Sequence, residues 1–172
     1  RRLIGLVRGQ AMFEAQAIEI TLQAGSMVGL EKEERLATHW VQSLRLRHPW
    51  LQLNLLTAFL AAAVVGLFQD TIDRLVILAL FLPVLAGQSG NTGCQALAVT
   101  LRGMTLGEIG AGTMGRLIGK EALLGFSNGL LIGAVAGSGM WYYAASQAQT
   151  GAMLLGAIVW GSMAAACLIS GL

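Results

Sequence analysis

Polar side chains and glycines interrupt a stretch of this chain that is otherwise apolar and long enough to cross a lipid bilayer. The stretch runs from Leu75 to Leu101, and Pro83 stands in its first half. Its middle carries amide and hydroxyl groups at Gln88, Ser89, Asn91, Thr92 and Gln95. An unpaired polar group in hydrocarbon costs on the order of several kcal/mol, so such segments persist where they line a cavity or lie inside protein. This stretch is therefore the first candidate for a transport pathway.

The polar side chains in the apolar segments present neutral oxygen atoms. Asn54 in an earlier apolar segment and Asn128 in a later one add further amides to Asn91 and Gln95. Neutral oxygens suit hard cations, and amides and carbonyls can hold a hydrated Mg²⁺ through its water molecules. Taken singly, Asn54 or Asn128 more often joins helices by a hydrogen bond than binds a ligand, so both roles stay open.

The apolar segments offer little to an enzyme. His39 and His48 lie outside them, so Ser138 has no evident base. No Asp or Glu falls deep inside an apolar segment, and Glu121 stands at the edge of one. The sequence also lacks a Cys/His cluster with the spacing of a zinc site. We do not expect an enzyme.

The composition is that of a membrane protein. Only 12% of the residues are charged and the mean hydropathy is +0.67, whereas a soluble domain carries about 25% charged residues. The net charge of +2, without a basic stripe, argues against a nucleic-acid partner. Four segments have the roughly 20 apolar residues that a span needs. We predict an all-α, polytopic transmembrane helical bundle with spans at about residues 51–68, 75–101, 122–145 and 152–172.

The region before the first span holds most of the charge. Leu3–Val7 predicts a short strand, Ala11–Ala24 a helix, and Glu31–Arg47 a second helix with one apolar face. Pro49 and Trp50 are typical of a helix start and a membrane interface, respectively. We therefore predict a cytoplasmic linker with a short amphipathic helical segment at residues 1–48 and a transmembrane domain at residues 49–172.

Basic residues predict the orientation of the spans. The connection at residues 69–74 carries Arg74 beside two Asp residues, and the other ten Lys and Arg residues lie in the N-terminal part and the connection from Arg102 to Lys120. Loops rich in Lys and Arg stay cytoplasmic. We expect a multi-pass membrane protein with a cytoplasmic N-terminus, and four spans put both ends of this fragment inside.

Small residues predict how the spans pack. One face of the third predicted span repeats glycine every four residues, which favours close approach of another helix: Gly125, Gly129, Gly133 and Gly137. Contact within one subunit is the favoured interpretation, and contact between two subunits is the alternative. Cys94 and Cys167 fall in predicted spans and are interpreted as small packing residues rather than as a disulfide.

Two runs of residues resemble the membrane domain of MgtE-type magnesium channels and transporters. The first, PWLQLNLLTAFLAA, begins at Pro49, and the second, PVLAGQSGNTGCQALAVTLRG, spans Pro83 to Gly103. The second run is similar to the family pattern P-x-x-x-G-x-G-G-N-A-G-x-Q-A-x-x-x-x-x-R-G. Ser89 and Thr92 replace the usual Gly and Ala of that pattern.

The resemblance extends from about Trp50 to Leu172. It implies a homodimer with five spans per subunit, of which this chain holds four, conducting Mg²⁺ inward across a bacterial or organellar membrane. It also implies a CBS-type regulatory domain ahead of the membrane part. The family's fifth span carries an Asp that attracts the hydrated ion, and this chain stops before it. The region at residues 10–25, often acidic in the family, holds only Glu14 and Glu19.

We predict a divalent cation channel or transporter that acts as a homodimer in the lipid bilayer, with Mg²⁺ as the expected transported ion. Asn91 is the expected ion-binding residue and Pro83 the expected helix break. The glycines beyond Pro83 are expected to loosen the helix and to expose backbone carbonyls around Gly87 and Gly90. The predicted pathway comprises Gly87, Gly90, Asn91, Gly93, Gln95, Asn54 and Asn128. The residues do not separate Mg²⁺ from Mn²⁺, Co²⁺ or Ca²⁺, or a channel from a coupled transporter. The alternative of another class is a non-conducting membrane anchor or assembly subunit, whose polar residues only join helices.

Overall fold

The computed structural model describes residues 9–10, 12–13, 25, 27–31, 34–110 and 112–172. These residues form helices and turns, with no strand among them, as the all-α prediction requires. The chain divides into two compact units, Arg1–Val65 and Gly66–Leu172. The strand predicted at Leu3–Val7 and most of the helix predicted at Ala11–Ala24 lie outside the described residues.

One long helix, α1 (Trp40–Gly66), carries most of the described apolar residues of the first unit. The prediction of a helix from Glu31 is wrong, because residues 34–39 form turns and bends. Two side chains there take backbone N–H groups that a helix would need: Thr38 Oγ1 accepts from Arg35 N at 2.9 Å, and His39 Nδ1 accepts from Val41 N at 3.4 Å. Such local bonds compete with helix formation.

Pro49 lies inside α1 and does not begin it, so that part of the prediction is also wrong. A proline removes one helical hydrogen bond, and membrane-spanning helices tolerate that loss. Before Pro49, Arg47 binds the turn that precedes α1: its Nε donates to Glu34 Oε1 at 2.7 Å. This hydrogen bond holds the pKa of the Glu34 carboxyl below its ordinary value.

The described residues of the second unit form five helices. They are α2 (Gln69–Arg74), α3 (Val76–Ala79), α4 (Leu82–Thr105), α5 (Met114–Ser146) and α6 (Ala152–Ser170). By length and composition, four stretches of the described chain are able to cross a membrane: α1, α3 with α4, α5, and α6. The four predicted spans are therefore confirmed, although α5 begins at Met114 instead of about Ala122.

The second span is interrupted before Pro83. Helix α3 ends at Ala79, α4 begins at Leu82, and Pro83 lies in the first turn of α4, where its missing N–H needs no helical partner. From there α4 continues to Thr105, so the prediction that glycines loosen the helix beyond Pro83 is wrong. A glycine weakens a helix by only about 1 kcal/mol, and the intact hydrogen bonds around each one hold the helix together.

Glycines on α5 bring its backbone against α6, as the glycine repeat predicts for contact within one subunit. A Cβ atom added at these positions would lie only 2.5–2.9 Å from the nearest atoms of α6: Gly125, Gly129, Gly133 and Gly137. Trp160 adds a bond between the two helices, its Nε1 donating to Leu130 O at 2.9 Å. Small residues promote helix contact in membranes because lipid supplies no hydrophobic drive between helices.

The buried residues of the second unit are mostly small or flexible, and its large apolar residues face outward. Met140, Ala144, Leu155 and Val159 form a core cluster against which α3 and the start of α4 pack. Exposed large side chains on α5 and α6 include Leu123, Leu131, Val135, Leu154 and Ile169. This arrangement suits a protein whose surroundings are lipid tails.

Substitution at Gly129 tests the α5–α6 contact. A Cβ there would lie 2.7 Å from Ala164 Cα and 3.0 Å from Met163 O, both backbone atoms that cannot rotate away. We expect Gly129→Ala to lower the free energy of unfolding by about 1–3 kcal/mol, measured by thermal or denaturant melting in detergent.

Gly139→Ala is the matched control, because the same helix offers open space at that position. It should leave stability unchanged or raise it slightly, since Ala favours helix more than Gly does. Equal stability of the two variants would contradict the close contact.

Candidate functional site

Helix α4 packs on α6 through one of its two faces. At Gly93 a Cβ would lie 2.6 Å from Ser170 Oγ and 3.0 Å from Ser170 O, so only glycine fits without a shift. Ser170 Oγ donates to the backbone carbonyl of Ser89 at 2.6 Å. Ala96, one turn further on, is buried. Gly93 thus serves contact between helices, and it does not share a face with the predicted amides.

The opposite face of α4 is uncovered. Its residues recur at helical spacing and are all exposed, and we call this surface the amide face: Gly87, Gly90, Asn91, Cys94 and Gln95. A Cβ at Gly87 or Gly90 would meet no atom within 4 Å. Asn91 and Gln95 lie four residues apart, or about 6 Å along the helix, so their side chains project from the same side.

The hydroxyl groups of α4 are used within the helix. Ser89 Oγ donates to Ala86 O at 3.2 Å, and Thr92 Oγ1 donates to Gln88 O at 3.1 Å. Local bonds of this kind satisfy a hydroxyl without an external partner. The amides of Asn91 and Gln95, each with a carbonyl acceptor and two N–H donors, are then the principal polar groups of the amide face.

The other two predicted amides belong to other helices. Asn54 is an exposed residue of α1, in the first unit. Its backbone carbonyl accepts a hydrogen bond from Thr57 Oγ1 at 2.8 Å. Asn128 is half-buried on α5, next to the buried Gly129. The structure therefore brings together Gly87, Gly90, Asn91 and Gln95, and it does not add Gly93 to that set.

The described residues contain no group of three or more His, Cys, Asp and Glu side chains that could hold a metal ion. The amides of Asn91 and Gln95 offer neutral oxygens, which can contact a hydrated cation through its water molecules.

Glu121 is a buried residue that the sequence reading placed only at the edge of a span. Its side chain is 10% exposed, and Lys120 Nζ lies 3.4 Å from its Oε1. The missed signal is its spacing: Glu121 precedes Gly125 by four residues, so the glycine repeat extends to it. Both cysteines are free thiols; Cys167 is buried in the packing, as interpreted, whereas Cys94 is exposed.

Comparison with known proteins agrees with this architecture. Residues 82–172, more than half of the chain, match the MgtE family, described as divalent cation transporters. The magnesium transporter MgtE of Bacillus subtilis is 39% identical over 89 residues, which cover 52% of this chain and 19% of that protein. Its counterpart from Enterococcus faecalis is 27% identical over 131 residues, or 76% of this chain and 29% of that protein.

The magnesium transporter MgtE of Thermus thermophilus is 23% identical over 137 residues, which cover 76% of this chain and 30% of that protein. The chain thus spans about a fifth to under a third of the length of these relatives. The matched region contains α4, α5 and α6, and with them the amide face and the glycine contact. The chain belongs to the MgtE family of divalent cation transporters.

Proposed function

We propose that this chain forms part of a Mg²⁺-conducting pathway and that the amide face of α4 lines it. The supporting observation is the uncovered pair of amides, Asn91 and Gln95, within a helix long and apolar enough to span the membrane. An unpaired amide facing lipid costs on the order of several kcal/mol. An amide face is therefore stable where it meets water or further protein.

Mg²⁺ is the proposed ion for a chemical reason and by similarity. Amide and carbonyl oxygens are hard ligands, and softer metals favour Cys or His, which the amide face offers only as the single thiol of Cys94. The relatives from three bacteria are named magnesium transporters. Hydrated Mg²⁺ would exchange hydrogen bonds between its waters and the amide oxygens as it passes, and the ion would keep most of its shell.

A homodimer would complete the pathway. One amide face offers oxygens from a single side, whereas an ion in a pore needs them around it. A second copy of the chain would supply the same amides from across the pathway, as a symmetric interface does. We place this assembly in the bacterial cell membrane.

The orientation follows from charge. Arg102 lies at the end of α4, and Arg116 and Lys120 lie in the first two turns of α5, so we place the connection between these two helices in the cytoplasm. The short helix α2 carries Asp70, Asp73 and a single Arg, and we place it outside.

Cysteine labelling tests the orientation. Thr71 and Thr105 are both exposed, so each can be replaced by Cys in a background with Cys94→Ala and Cys167→Ala. In intact cells an impermeant thiol reagent should label position 71 and not position 105, and both after lysis. Labelling of position 105 alone in intact cells would reverse the proposed orientation.

Asn91→Leu tests the role of the amide face. Leu keeps the bulk of Asn but offers no oxygen to the waters around the ion. We expect the free-energy barrier to ion passage to rise by about 1–3 kcal/mol. The Mg²⁺ flux per folded protein, measured in proteoliposomes, should then fall roughly 5- to 150-fold. The melting temperature in detergent should change little, because the side chain is exposed.

Ser138→Leu is the matched control for that experiment. Ser138 is an exposed polar residue of another span, and its hydroxyl bonds only to Val135 O within its own helix, at 2.8 Å. The Ser138→Leu variant should leave the Mg²⁺ flux unchanged. If Asn91 only joins helices, Asn91→Leu would instead lower stability by roughly 0.6–2 kcal/mol and preserve flux. That result would favour a membrane anchor.

A further inference from the structure

A pocket of about 220 Å³ lies between the end of α4 and the start of α5. Its charged lining residues are Arg116, Lys120 and Glu108. Val99, Ile109 and Leu117 form the apolar part of the lining. At about 30 Å³ per water molecule, the space holds a group the size of roughly seven waters. A phosphate with the first atoms of its substituents is of that order.

The loop that closes the pocket is held by its own hydrogen bonds. Gly107 takes a left-handed conformation, with φ +68°, and Glu108 N then donates back to Gly103 O at 2.9 Å. Gly103 lacks a side chain, so Ile109 Cγ1 approaches to 3.4 Å from where a Cβ would stand. Thr113 Oγ1 accepts from Gly110 N at 2.7 Å. These hydrogen bonds join described residues that border the pocket.

The charges of the pocket favour an anion. Arg116 and Lys120 lie four residues apart on α5, one turn from each other and on one side of the helix. Lys120 Nζ also lies 3.4 Å from Glu121 Oε1, so part of its charge is already balanced. Against the single carboxylate of Glu108, the two cations leave the lining positive, and a bidentate guanidinium suits phosphate oxygens.

The level of the pocket in the membrane favours a lipid over a free anion. Arg116 and Lys120 precede the long apolar run of α5, which begins at about Ala122, so they stand where headgroups meet hydrocarbon. The apolar residues of the same pocket would contact the first part of an acyl chain. Basic pockets between spans on the cytoplasmic side commonly take anionic headgroups.

We propose that this pocket binds an anionic phospholipid through its phosphate, with Arg116 and Lys120 as the ligands. The carboxylate of Glu108 accepts a hydrogen bond from a headgroup hydroxyl, and phosphatidylglycerol is an anionic lipid with such a hydroxyl. The site concerns α4, α5 and their connection, and it is independent of Mg²⁺ conduction at the amide face.

Native mass spectrometry of the purified chain in detergent tests the site, with phosphatidylglycerol or phosphatidylcholine of equal chain length as the probe. We expect retention of one phosphatidylglycerol per chain, and a loss of about ten- to thirtyfold in its affinity in Arg116→Gln/Lys120→Gln. The charge-preserving Arg116→Lys/Lys120→Arg should restore most of the binding. Inorganic phosphate at millimolar concentration should not displace the lipid.

Arg45→Gln/Arg102→Gln is the matched control, because it removes two exposed charges from the proposed cytoplasmic side without altering the pocket lining. It should retain the lipid. Three results would overturn the proposal: equal binding of the two lipids, equal loss in the control and pocket variants, or displacement by inorganic phosphate, which would make this a site for free phosphate. If the Gln double variant fails to fold, retention in the charge-preserving variant but not in Arg116→Glu, which makes the charge of the lining negative, decides the same question.

Discussion

The close approach of α5 and α6 is the contact on which the rest of the second unit depends. Lipid tails are as apolar as leucine, so helices in a membrane gain little from burying large side chains against each other. Glycines at 125, 129, 133 and 137 instead let the two backbones approach closely. On α6 they face Ala164, Gly156 and the backbone carbonyl of Cys167, among others. The resulting pair is a rigid surface on which other helices can be positioned.

Helix α4 rests on this surface through a small contact and is thereby left half uncovered. Gly93 and the carbonyl of Ser89 meet Ser170, and Ala96 is the buried residue of the helix. The hydroxyls of Ser89 and Thr92 close onto carbonyls of α4 itself. As a consequence the amides of Asn91 and Gln95 face away from α6. The same packing that holds α4 therefore determines which of its polar groups remain exposed.

Much of this arrangement could be predicted from the sequence, where the signal is local and periodic. Four spans follow from runs of apolar residues, and the glycine contact follows from a four-residue repeat. The start of α1 could not be predicted from periodicity, because the side chains of Thr38 and His39 accept backbone hydrogen bonds that compete with helix formation. Pro49 also misled the prediction: a proline is typical of a helix start, but this one lies inside α1.

The candidate site was predictable in its residues and not in its geometry. Spacing alone puts Asn91 and Gln95 on one face, but only contact with Ser170 reveals that Gly93 serves packing. Glycine content suggested exposed carbonyls around Gly87 and Gly90, whereas the helix continues through both. A glycine's effect depends on the hydrogen bonds around it, and these are a property of the folded helix rather than of the residue.

Cys94 provides the most direct measurement of the central claim, that the amide face borders an aqueous Mg²⁺ pathway. Its thiol is exposed on that face beside Gln95, while Cys167 is fully buried and serves as an internal control. In proteoliposomes, a charged, water-soluble thiol reagent should modify Cys94, more slowly at high Mg²⁺ concentration, and block Mg²⁺ flux. Modification by a lipid-soluble maleimide alone, with flux unaffected by the charged reagent, would place the amide face against lipid or protein and contradict the claim.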